Sequence, residues 1–82
     1  MNNETPRVTG RMLSQFMGRT VFLICDTSAM GQDQNGNQIL RTTDGVDITA
    51  MLPPGEQFES QYVSFVAKVI QPNFIEVHSM QS

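Results

Sequence analysis

The chain has 82 residues, a net charge of -3 from 8 acidic against 5 basic side chains, and a single cysteine. That length allows one small domain whose core is only just sufficient, and the negative charge argues against binding nucleic acid by bulk electrostatics, because phosphate affinity comes largely from Lys and Arg displacing counterions. Cys25 alone excludes an internal disulfide or a cysteine-based zinc cluster, and a polar start with no long apolar run argues against a signal peptide or a membrane span, so a soluble intracellular protein is expected.

In chain order, residues 1–8 read as an N-terminal arm. Met12, Leu13, Phe16 and Met17 follow at offsets that share an arc of roughly 140° on an α-helix. Thr9 is placed to cap that helix and Gly18 to end it. A helix this short is not stable alone, so its apolar face must lie on a sheet that starts at once. Residues 20–25 are rich in β-branched and aromatic side chains and predict the first strand, in which Cys25 reads as a buried residue. The polar residues 31–37, with Asn35-Gly36 among them, predict a loop or long hairpin. Residues 38–43 form a short second strand, and Asp44-Gly45 separates it from a third at 46–51, a spacing that predicts a two-residue type I′ turn.

Pro53-Pro54-Gly55 ends the third strand, since proline cannot donate to a ladder, and polar residues 56–61 lead onward. Residues 62–70 alternate. Val63, Phe65, Ala67 and Val69 make the better core face, with Tyr62, Ser64, Val66 and Lys68 opposite. Gln71-Pro72-Asn73 turns the chain into a fifth strand, 74–78, and residues 79–82 read as a tail. Five short strands with regular turns predict an all-β, five-stranded Greek-key barrel of the oligonucleotide/oligosaccharide-binding (OB) fold over residues 9–78, with a short N-terminal helix and an SH3-like barrel as competitor. The usual helix between strands three and four has little room in residues 53–61.

No catalytic constellation emerges. His78 stands alone at a strand end, Asp44 and Asp47 look like a metal pair but Asp44 precedes Gly45 in a turn that favours Asp, and residues 31–36 lack the Lys-Ser/Thr of a phosphate loop, so neither an enzyme nor a cofactor site is expected. Single-strand binding needs aromatics to stack on bases and cations to follow the backbone. The candidates are Phe22, Arg41, Tyr62, Lys68 and Phe74, whose aromatics fall on different strands with few cations between them. Met12, Leu13, Phe16, Met17, Asp44 and Gly45 read as structural. Met51, Met80 and the stretch 56–59 are candidates for a partner surface, with a solvated loop as the simpler reading.

Thr5-Pro6-Arg7-Val8, Gly10, Met12-Leu13, Gln15-Phe16 and Gly18-Arg19-Thr20-Val21, followed by Thr43-Asp44-Gly45 and the alternating residues 63–69, together resemble the smallest subunit of replication protein A. The similarly small single-barrel subunit of the telomere-capping trimer is a close rival. The resemblance implies a scaffold subunit of a nuclear heterotrimer that binds single-stranded DNA in replication, repair and recombination. Its partners would be the middle and large OB-fold subunits, with DNA held through the complex and weakly by this chain alone. It also implies a C-terminal helix after the fifth strand that packs with helices of the larger subunits, and Ser82 falls where that helix would begin.

Overall fold

A computed structural model describes residues 5–32, 34–52 and 60–81. A 3₁₀ helix, Gly10–Phe16, precedes strands β1 (Thr20–Gln32), β2 (Gln38–Thr42), β3 (Asp47–Met51), β4 (Tyr62–Gln71) and β5 (Phe74–Gln81). They close into a barrel in the order β1-β2-β3-β5-β4, with β3 and β5 parallel and the other neighbouring pairs antiparallel. This is the predicted OB-type closure; the first part of β1, which β2 does not reach, pairs on that side with the N-terminal arm. The reading of residues 53–59 as a short connection lies outside the described residues.

The alternation in β4 settles the core as expected. Val63, Phe65, Ala67 and Val69 are buried, and Val21, Leu23 and Cys25 meet them from β1. Leu40, Ile48, Ala50, Ile75 and Val77 supply the rest of the strand interior, and Val8 of the arm and Leu13 of the helix join it. Burial pushes the Cys25 thiol up to about 12, which leaves it a protonated packing residue.

Several boundaries differ from the sequence expectation for physical reasons. β1 continues past Cys25 because its polar residues find partners. The Thr27 hydroxyl donates to the Ser60 and Gln61 carbonyls at 2.9 and 3.0 Å, and Asp26 accepts the Ser28 amide at 2.8 Å. Gly31 and Gln32, expected in a loop, pair with Ile39 and Gln38 beyond an irregularity in the β1–β2 ladder. β5 runs three residues past 78, since Ser79, Met80 and Gln81 pair with Val66, Phe65 and Ser64. The arm is also tied down, because Phe22 donates its amide to the Pro6 carbonyl and accepts the Val8 amide, at 2.8 and 2.9 Å, in a parallel bridge.

The leading helix is 3₁₀, not α, and this changes its face. At 3.0 residues per turn, side chains at i and i+3 eclipse, so Leu13 and Phe16 align while Met17 falls elsewhere. Leu13 is fully buried, Met12 and Phe16 pack partly against the core, and Met17 is 47% exposed just past the helix end. The expectation that all four share one buried face therefore fails at Met17. Gly18 takes the expected left-handed conformation at φ 78°.

The Thr9 side chain does not cap the helix. Asp44 does so from the β2–β3 connection, its two carboxylate oxygens accepting the Gly10 and Arg11 amides at 3.0 Å each. The Thr42 hydroxyl donates to the same carboxylate, and this bond is the main reason Asp44 is held down at about 2. Because the folded value lies below the ordinary 3.8, the stability Asp44 contributes is present above about pH 4 and is lost as pH falls through about 2. Asp44→Asn should remove that part of the acid transition. Acid unfolding followed by circular dichroism checks it, and identical curves for the two proteins would contradict the carboxylate cap.

The connection itself is a three-residue loop. Thr42 donates its amide to the Val46 carbonyl at 2.8 Å and accepts the Gly45 amide at 3.0 Å. Gly45 sits at φ 85°, while no described residue other than glycine has positive φ. A type I′ turn would need Asp44 there as well, so the arrangement is a turn over Thr43 and Asp44 closed by a left-handed glycine. The expectation of positive φ at Gly45 holds, and that of a two-residue loop does not. Gly45→Val is expected to cost about 1–2 kcal/mol, read from the urea midpoint.

Candidate functional site

The five residues predicted to touch nucleic acid divide between two outer surfaces of the barrel. Arg41 and Phe74 lie on the surface built by β2, β3 and the start of β5, where Ile39 faces Thr49 and Thr49 faces Phe74 in register. Phe22 and Lys68 lie on the outer surface of β1 and β4, two rungs apart, since Phe22 pairs with Val66 and Thr20 with Lys68. Tyr62 stands at the end of that ladder opposite Asp26, and at 55% it is among the most exposed large side chains described.

The β2–β3 surface is the one OB folds commonly use for oligonucleotides. Here its cation is already engaged. Arg41 Nε donates to Asp47 Oδ1 at 2.9 Å across the β2–β3 ladder. Asp26 pairs with Arg41 from the other side, so one guanidinium stands between two carboxylates. The hydrogen bond and charge of Asp47, with a smaller contribution from Asp26, raise the Arg41 value, and the same hydrogen bond lowers that of Asp47. A phosphate arriving here must displace a carboxylate and face another, which disfavours it.

The β1–β4 surface is built differently. Arg7, on the docked arm, places its guanidinium 5.1 Å from the centre of the Phe22 ring. A groove of about 680 Å³ beside this pair is lined by Thr5, Pro6, Arg7, Phe22 and Val66. On the other side of Phe22 a second groove of about 390 Å³ is lined by Ser64, Val66, Ser79, Met80 and Gln81. Arg19 lies over Phe16 at 5.3 Å, at the entrance to β1. Arg7 and Arg19 were not legible as site residues in the sequence. The arm's docking brings Arg7 to Phe22, and no local spacing announces that.

Of the expected partner surface, Met51 is 39% exposed, Met80 packs against the core, and residues 56–59 lie outside the described residues. Among the described residues, no cluster of three or more His, Cys, Asp or Glu side chains could hold a metal ion, and no helix is long and apolar enough to cross a membrane.

Comparison with solved structures agrees with the barrel. The chain superposes over its full length on 75% of a chain in the structure of U. maydis replication protein A bound to ssDNA, with a TM-score of 0.82 at 19% identity. It matches a chain of the S. pombe Stn1-ten1 complex with a TM-score of 0.70 at 13% identity, covering all of this chain and 79% of that one. The telomere capping protein Ten1 from S. pombe matches with a TM-score of 0.70 at 12% identity, over 96% of this chain and 81% of that one. At these identities the likeness establishes the OB fold. Comparison with curated proteins finds no match. The family model for replication factor A protein 3 matches residues 1–82, and the chain belongs to that family.

Proposed function

We propose that this chain is a non-catalytic scaffold subunit of a nuclear heterotrimer that binds single-stranded DNA in replication, repair and recombination. Its partners in this reading are the two larger OB-fold subunits of a replication protein A-like complex. The observation that carries it is the family match over residues 1–82. The likeness to a chain of replication protein A bound to ssDNA supports it. The occupied Arg41 and the net charge of -3 support a subunit that holds DNA through its assembly. A telomere-associated complex is the second reading, favoured by the likeness to the Stn1-ten1 complex and to Ten1.

Two measurements test this. Affinity purification of the tagged chain from nuclear extract, with the co-purifying chains identified by mass, should recover larger OB-fold subunits, whose identity decides between the two complexes. Recovery of neither set would overturn the scaffold reading. By fluorescence anisotropy at physiological salt, the free chain should bind single-stranded DNA with a Kd no tighter than about 10⁻⁵ M, the range of ordinary non-specific contact. A submicromolar Kd would make it an autonomous binding module.

A further inference from the structure

We infer that the direct contact this subunit makes with single-stranded nucleic acid runs along the outer surface of β1 and β4, across the Arg7–Phe22 pair, and not over the β2–β3 surface. This rests on the proposed membership in a single-strand-binding complex and specifies where on the subunit the strand lies.

Charge distribution is the first argument. The net charge of -3 is not spread evenly over the barrel. The register sets Asp26 of β1 and Asp47 of β3 on either side of Arg41, so that row of the sheet is net acidic; Asp26 also faces Tyr62 at the far end of the β1–β4 ladder, four residues along β1 from Phe22. On the β1–β4 side, Arg7 and Lys68 form no ion pair among the described residues, and neither does Arg19, which lies over Phe16 at the end of the barrel before β1 begins. Glu76 is the carboxylate paired in register with Lys68, and its Oε1 lies 3.3 Å from His78 Nε2. Arg19 immediately precedes Thr20, whose register partner is Lys68, and Arg7 bridges to Phe22 two residues further along β1. At the strand rise of about 3.3 Å per residue, the positions of Lys68 and Arg7 are therefore separated along β1 by about 7 Å, with Arg19 beyond Lys68 at the barrel end.

Stacking is the second argument. Sequence-tolerant single-strand binding couples such cations to aromatic faces, and base stacking extends equally well onto an arginine plane. Phe22 is half-buried on the outer face with the Arg7 guanidinium beside it, and the larger groove opens next to both. A base in this groove would stack on the Arg7–Phe22 layer, with its flanking phosphates near Lys68 and Arg19. The rim supplied by Ser64, Ser79 and Gln81 is polar and uncharged, so it does not repel a phosphate. Phe74, the aromatic on the opposing surface, shares its row with Ile39 and Thr49 and has no cation in that row.

Contact by three cations is weak and strongly salt-dependent, with a slope of about -2 in log K against log salt for a single strand. It should therefore be read at low ionic strength. The test is a titration of the full ¹⁵N-labelled chain with a short oligothymidylate at about 20 mM salt, where phosphate contacts are strongest. Amide shifts should concentrate on Arg7, Phe22, Val66 and Lys68. Arg7→Glu and Lys68→Glu should each weaken binding about fivefold or more, while Arg41→Glu, which changes the net charge by the same amount, should leave it within about twofold. Unchanged dispersion of the core amides in each variant shows that the barrel is intact. Shifts centred on Ile39, Arg41, Thr49 and Phe74, equal losses in all three variants, or no saturable binding at low salt would each overturn the inference. None of these would touch the scaffold reading, which stands or falls on the co-purifying chains.

Discussion

Phe65→Ala is expected to be the most destabilising single truncation of the barrel, lowering its thermal midpoint by some tens of degrees. Phe65 is the largest fully buried side chain, set on β4 between Leu23 of β1 and Met80 of β5 in register. Truncating a buried phenylalanine removes its transfer free energy and leaves a cavity that a closed barrel cannot collapse around, at a cost of about 3–5 kcal/mol. A chain of this length has a total stability of roughly 4–12 kcal/mol, so the loss is a large share of the whole. At about 4–8 °C per kcal/mol for a small domain, the thermal midpoint should fall by some tens of degrees, read by circular dichroism. Phe65→Leu keeps most of the volume and should cost less than about 1.5 kcal/mol. Equal midpoints for the Ala and Leu variants would show that Phe65 does not fill the barrel as described.

Gly10→Ala should be nearly as damaging, although it adds a single methyl group. A Cβ at this position would lie 2.5 Å from Thr42 Oγ1 and 2.6 Å from Val46 Cβ, well inside van der Waals contact. Neither neighbour yields easily. Both are β-branched and stiff at χ1, and Thr42 Oγ1 is also fixed by its bonds to Asp44 and to the Val46 amide. The 3₁₀ helix must then lift from the β2–β3 loop, losing the Gly10 and Arg11 bonds to Asp44 and loosening the fully buried Leu13. A cost of about 3 kcal/mol is expected, the upper range for overpacking. Urea denaturation measures it, with Gly18→Ala as comparison, because a Cβ at Gly18 meets nothing within 4 Å and only its positive φ is strained. If Gly10→Ala proved as mild as Gly18→Ala, the close seating of helix on hairpin would be wrong.

The fold was legible wherever one face of a strand is buried and the other is wet. Alternation in residues 62–70 identified the inward set without reference to any neighbour, because period two and burial coincide there. The positive φ of Gly45 was equally readable, since Asp-Gly between strands is local turn chemistry. What escaped depends on contacts far apart in sequence. The cap on the leading helix comes from Asp44, 33 and 34 residues away, so Thr9 took the role by default. The extension of β1 through polar residues depends on carbonyls of Ser60 and Gln61. The difference between a 3₁₀ and an α-helix decides whether Met17 is buried, and seven residues carry too little periodicity to distinguish them. Among the candidate contacts, nothing local told Arg41, ion-paired across a hairpin with Asp47, from Lys68, which faces Glu76 across a hairpin and forms no ion pair among the described residues.

The docked arm carries a further consequence, for solubility. β2 pairs with β1 only from Cys25 onward, and the arm bonds to Phe22 in the part of β1 that β2 does not reach. A chain lacking residues 1–8 would leave the Phe22 amide and carbonyl without those partners, on a β-branched and aromatic run that is well suited to pairing with the same segment of another molecule. Pro6 and Arg7 are residues natural proteins place on strand edges to block such pairing, so the arm both closes this stretch of edge and presents a non-propagating side to solvent. A chain lacking residues 1–8 is therefore expected to self-associate more readily than the full chain.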